Sequence, residues 1–380
     1  MTEFKPLENM LACPIGRGFL PKEDPIINLE GKQFQGLNEI MQSLPHYFMT
    51  GRIRGAHYIH KLPEWDIDQL NDREARALQR DLSFAAAAFY HAHNHKPAYA
   101  LPQHYSVPLY KLAQRFQTKP TLSYYSYALT NFCRPNPDKP ISLENIRIIR
   151  NFVNVLDEQW FIMVHVVIEA QAEWLINGIL KAYEGLFITK NSTDVFTGLF
   201  MIERALAKMH EIMLQMPVAC NPFVYYYQVR QQIMPFKNLI FNYVPEYKFL
   251  PQSFIAGETG AQSCIVPMLD AFFGIKHAKT EGFDFVREMR NYMPREHLDF
   301  IDSLEQGPSV RDAVIATKNN ECHFNNGVKS LYNFRKLHFQ YADDYIFQFK
   351  DKEEKKGTGG TPAPVWLNQL LEETLQAQIS

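Results

Sequence analysis

Apolar positions recur every three or four residues over most of this chain, and that period, rather than the alternation of a half-buried strand, sets the expected fold. Up to about residue 60, prolines and glycines punctuate short periodic runs, which predicts loops with brief helices. The stretch DIDQLNDREARALQRDLSFAAAAFYHAH then turns helical, with Leu70, Ala77, Leu78, Leu82 and Ala85 at helical spacing and Asp68 or Asn71 available as the cap. A proline-rich passage, CRPNPDKP, precedes ISLENIRIIRNF, which reads as a linker and then a helix start with Ser142 at the cap and Asn145 three residues on. A domain boundary is expected there, dividing a small, mainly helical N-terminal domain over 1–145 from a larger one over 146–380. Beyond it, segments 152–182, 195–216, 222–235, 261–275, 281–292, 308–318 and 325–349 keep the helical period. No run of alternating strands and no repeat stands out, so the fold class expected is all-α, a large helical bundle with a smaller helical domain. Charge and glycine in KDKEEKKGTGGTPAP, 350–364, predict an exposed, mobile loop before a closing amphipathic helix, VWLNQLLEETL.

Composition narrows the class. At 380 residues, 46% hydrophobic and 13% aromatic, the chain can bury a sizeable core, and a formal net charge of -2 offers no electrostatic reason to expect nucleic acid or an anionic membrane. Small, partly apolar partners are expected instead, with monomer and dimer equally open. Cys13, Cys133, Cys220, Cys264 and Cys322 are odd in number and never form a CxxC pair, which suits reduced thiols in a cytoplasm. The opening MTEFKPLENM leads into no apolar signal-peptide core, and the apolar run around His165 is too short to span a membrane before Glu169 ends it.

Two lone histidines carry the candidate chemistry. In WFIMVHVVIE, His165 interrupts a wall of hydrocarbon; in SLYNFRKLHFQYADDYI, His338 shares a face with Leu331, Phe334, Tyr341, Ala342 and Tyr345. Either one alone reads as a core imidazole making a single hydrogen bond. Two on separate helices of one bundle suggest a planar apolar cofactor between them, and a single neutral imidazole is the usual axial ligand of heme iron. Arg335, one turn before His338, can reach a heme carboxylate. PFVYYYQVRQQIMPF sets Arg230 a turn beyond Tyr225, Tyr226 and Tyr227, either as a surface arginine over an aromatic stripe or as a pocket clamp for an amino acid carboxylate. AGETGAQS brings small residues, Thr259 and Gly260 among them, to a flat ligand before a helix expected from about Ala261. GTGGT lacks the GK[ST] of a phosphate loop and suits a loop closing over a ligand. His91, His93 and His95 read as a solvated cluster at a helix end rather than a metal site.

From about Leu101 onward these segments resemble the indoleamine 2,3-dioxygenase family of heme enzymes. The likeness rests on LPQHYSVPLYKLAQRFQTKPTLSYYSYALTNF, AQSCIVPMLDAFFGIKH, REMRNYMPREHLDFIDSLEQGPSVRDAVIA, FRKLHFQYADDYI and GTGGT, in that order. The resemblance implies heme b and O₂, with His338 as proximal iron ligand and Arg335 as propionate partner. It implies Arg230 gripping the substrate carboxylate, Thr358 closing on the amino acid backbone, and Tyr124 and Phe161 as pocket walls beside Tyr225 and Tyr226. The implied reaction inserts both atoms of O₂ across the indole C2–C3 bond of L-tryptophan, giving N-formylkynurenine at the head of the kynurenine route. Three positions depart from the family pattern: His165 stands where most members carry serine, Tyr225 and Tyr226 replace paired phenylalanines, and Glu258 replaces a glycine. DEQWFIMVHVVIE is similar to the distal-helix motif of tryptophan 2,3-dioxygenases, whose histidine faces the indole N–H, so His165 is a candidate partner for that N–H or for dioxygen. Two other readings stay open, a heme hydroxylase of another indole or aromatic amino acid and a heme sensor without turnover.

Overall fold

The computed structural model describes residues 17–92, 96–248, 254–350 and 363–380. Its helices of six residues or more are α1 (Gln35–Gln42), α2 (Leu44–Met49), α3 (Ile53–Ile59), α4 (Asp72–His91), α5 (Gln103–Arg115), α6 (Leu156–Ala170), α7 (Ala172–Tyr183), α8 (Ser192–Met213), α9 (Ile265–Phe273), α10 (Glu281–Met289), α11 (Arg295–Gln306), α12 (Val310–Thr317), α13 (Glu321–Tyr345) and α14 (Ala363–Gln376). Among the described residues, strands amount to three two-residue pairs, Ala100–Leu101 with Ile240–Phe241, Phe132–Cys133 with Arg147–Ile148, and Phe236–Lys237 with Phe254–Ile255. The fold is all-α. No described helix is long and apolar enough to cross a membrane.

The caps follow the sequence closely at α4. Asn71 accepts from the Glu74 amide while the Glu74 carboxylate accepts from the Asn71 amide, both at 3.0 Å, so two otherwise orphaned donors are satisfied at once. α4 buries nearly all of Ala77–Tyr90 and forms the pillar of the N-terminal half. In the C-terminal half α7 crosses α8 with Gly178 against Gly198, and α13 lies across α8 and α14. One contiguous apolar cluster runs from Phe19 to Ile379, through the boundary expected near residue 146.

Several expectations are corrected. Ser142 caps no helix: the Asn145 amide group donates instead to the carbonyls of Asn136, Lys139 and Pro140, stitching the proline loop, and Arg147–Ile148 forms a strand, so the helix begins only at Leu156. The 152–182 segment is two helices broken at Gln171. Residues 222–235 are no single α-helix but a π turn, Tyr225–Val229, followed by a 3-10 turn, Arg230–Ile233. The helix expected from Ala261 starts at Ile265, after a 3-10 turn at Gly260–Gln262. His91 is only partly exposed; it packs against Tyr90 and Phe236, hydrogen-bonds the Met234 carbonyl, and burial lowers its pKa to about 4, so it stays neutral. His93, His95, Cys13 and the GTGGT segment with Thr358 lie outside the described residues.

Candidate active site

A cavity of about 670 Å³ opens where α6, the π and 3-10 turns at 225–233, the 258–263 segment, α9 and α13 converge. Its lining includes Phe161, His165, Tyr225, Arg230, Glu258, Thr259, Gly260, Arg335 and His338, brought from positions far apart in the chain. Irregular winding of the kind at 225–233 redirects side chains that a regular helix would send elsewhere.

His165 is held by its own helix. Its Nδ1 lies 2.7 Å from the Phe161 carbonyl oxygen one turn earlier, and because a carbonyl only accepts, Nδ1 carries the hydrogen. Burial lowers the His165 pKa to about 4, with only partial compensation from that bond, so the ring is neutral and Nε2 is a bare acceptor. The ring packs between Phe161, at 4.3 Å between centroids, and Tyr124, at 6.0 Å; Tyr225 extends the aromatic wall, 4.6 Å from Phe161.

Tyr124 does not reach the cavity surface. Its hydroxyl donates to Glu169 at 3.0 Å, and its amide donates to Gln262 at 2.8 Å, so it supports His165 from behind. Glu169 also accepts from Ser263 at 2.6 Å, linking α6 to the small-residue segment; burial lifts its carboxyl to about 7. Tyr226 likewise stays off the lining, packed at a tilt against Phe349 with its face toward the Arg230 guanidinium.

Arg230 is 2% exposed, and its Nε and Nη2 have no hydrogen-bond partner among the described residues. The surface-arginine reading is excluded. A buried guanidinium without an anion is costly, and burial accordingly works against its charge. Glu258, 4% exposed, faces the same space, and no side chain among the described residues hydrogen-bonds its carboxylate.

From α13, His338 lines the same cavity. Its ring is accessible from the cavity yet enclosed by protein, and that desolvation, followed by the Arg335 charge, lowers its pKa and keeps it neutral. No described residue hydrogen-bonds either ring nitrogen. A Cβ added at Gly260 would stand 3.5 Å from His338 Nε2, so the small-residue segment keeps the space over the imidazole clear. One neutral imidazole in a cavity with largely apolar walls fits an iron porphyrin. Arg335 is engaged: its Nη2 donates to Asp270 Oδ1 at 2.7 Å, and its Nη1 to Thr374. Asp270 also meets His277, which meets Glu373 at 2.6 Å. Burial opposes the charge on both Asp270 and His277, but pairing prevails, lowering the Asp270 pKa and raising that of His277.

Sequence reasoning missed Glu169, Ser263, Gln262, Asp270, His277 and Glu373. Glu169 alone carried a signal, one turn after His165 on the same face of a helix that is apolar between Trp160 and Ile168 apart from His165.

A family model described as indoleamine 2,3-dioxygenase matches residues 14–377 of this chain. Among curated proteins, the indoleamine 2,3-dioxygenase of Saccharomyces cerevisiae is 28% identical over 354 residues, covering 87% of this chain and 78% of that protein. Indoleamine 2,3-dioxygenase 1 of Rattus norvegicus is 27% identical, covering 90% and 88%. An indoleamine 2,3-dioxygenase of Aspergillus candidus is 26% identical, covering 94% of each.

Proposed function

Because this chain belongs to the indoleamine 2,3-dioxygenase family of heme-dependent, O₂-using oxidoreductases, we propose that its substrate is L-tryptophan and its product N-formylkynurenine. Bound heme supplies the O₂ chemistry. His338 is the iron's protein ligand, and Thr259 and Gly260 line the heme's approach beside it. Arg335 also lines the cavity, with its fork already committed to Asp270 and Thr374. The same reading puts the enzyme in the cytoplasm, at the head of tryptophan breakdown through kynurenine.

The observation that carries the reading is Arg230. A buried guanidinium with unpartnered Nε and Nη2, opening on an aromatic cavity, requires an anionic ligand group and matches a carboxylate held by a fork. A sensor of diatomic gas has no use for it. Phe161 and Tyr225 give the indole an apolar wall to stack on, so that carboxylate and ring together fix the orientation. The bare Nε2 of His165 can accept from the indole N–H but cannot donate to dioxygen, which favours the substrate as its partner.

The test is the absorption spectrum of the purified holoprotein, reduced, with and without L-tryptophan. The account expects tryptophan to shift the heme bands, and His338→Ala to lose most of the heme. Bands indifferent to tryptophan, or a His338→Ala protein with full heme and unchanged turnover, would contradict it.

A further inference from the structure

Arg230 does not face the cavity alone. Glu258 stands across from it, 4% exposed, on the segment that runs beside the 3-10 turn carrying Arg230, and the Glu258 amide is anchored to the Ile233 carbonyl at 3.1 Å. Gly257 makes that approach possible, because a Cβ there would overlap the Ile233 carbonyl oxygen. The two side chains interact electrostatically, yet no hydrogen bond or ion pair joins them, and neither has another polar partner among the described residues apart from the aromatic face over Arg230. A buried guanidinium and a buried carboxyl, neither with a polar partner among the described residues and both lining one space, are unfavourable empty and complementary to a ligand carrying both charges.

We propose that Glu258 is an ammonium-binding subsite, which together with Arg230 makes the pocket select a zwitterionic α-amino acid over an indole bearing a carboxylate or an amine alone. This rests on the indole reading of the site. Tyr225, which lines the same cavity and is coupled electrostatically to Glu258, adds an aromatic ring to its wall, which also favours a cation. Burial lifts the Glu258 carboxyl to about 8 in the absence of ligand, and an arriving ammonium supplies the counter-charge that restores its ionised form. A ligand lacking the ammonium leaves the buried Glu258 carboxyl without a counter-charge. Discrimination of this kind comes from the groups left unpaired by the wrong ligand.

The experiment is calorimetric titration of the oxygen-free holoenzyme with L-tryptophan, indole-3-propionate and tryptamine. Wild type is expected to bind indole-3-propionate at least about tenfold more weakly than tryptophan. Glu258→Gln, which keeps the volume and removes the charge, should cut that ratio to within about twofold and weaken tryptamine; Glu258→Gly should do the same if the glutamine variant folds poorly. An unchanged ratio in folded variants overturns the subsite while leaving the indole reading intact. Failure of all three indoles to bind wild type overturns both.

Discussion

At the scale of single residues, His165 is the most informative position. The sequence shows an imidazole in hydrocarbon, but its tautomer depends on the Phe161 carbonyl one turn back, a distance only the folded helix reveals. That bond leaves Nε2 as an acceptor, which on the proposed reading receives the indole N–H. Wild type should therefore penalise tryptophan methylated at the indole nitrogen by about 10- to 100-fold in kcat/KM, and His165→Ser should largely abolish the penalty. Steady-state kinetics on the two substrates checks this; equal penalties in both proteins would remove the role from His165. Arg230 and His338 were legible because each breaks an apolar or aromatic face. Glu258 was visible only as a departure, since nothing in the residue order says that it and Arg230 open on one space.

Among elements, the long periodic helices were legible and the irregular ones were not. α11, REHLDFIDSLEQ, passes unnoticed in the pattern because charges crowd its outer face, although His297, Phe300, Ile301 and Leu304 are buried at helical spacing. The turns at 225–233 escape a period-based reading altogether, because π and 3-10 winding change the spacing within one segment. The α7–α8 crossing is closely packed. An added Cβ at Gly178 would stand 2.7 Å from the Gly198 carbonyl oxygen and 2.9 Å from the Ile202 side chain, so Gly178→Ala must push the helices apart. We expect a loss of about 1–3 kcal/mol in denaturant unfolding; wild-type stability in that variant would show that the crossing is looser than described.

For the molecule as a whole, the two halves of the sequence are tied by charge as well as by the common core. Asp81 of α4 is buried with Arg80, at 2.8 Å, and with Arg150 from beyond the predicted boundary, at 2.9 and 3.0 Å. No local pattern announces a partner 69 positions away. Burial alone would raise the Asp81 carboxyl, but the two guanidinium groups hold it below its ordinary value of 3.8. Its folded pKa is thus depressed, so the stability it contributes is present above 3.8 and lost as the pH falls through the lower, folded value. Asp81→Asn should cost about 3–5 kcal/mol near neutral pH, since it strands two buried cations, and should flatten that part of the acid limb. An unaltered acid limb would place the pH sensitivity elsewhere. The proposal that this pocket orients L-tryptophan for insertion of both oxygen atoms can be checked by turnover of L-tryptophan under ¹⁸O₂ with mass analysis of the product. The expected product is N-formylkynurenine carrying both labelled oxygens, with the mass of the doubly ¹⁸O-labelled compound. A product that has gained a single oxygen, or recovery of unchanged tryptophan from a reduced, heme-replete enzyme, would contradict it.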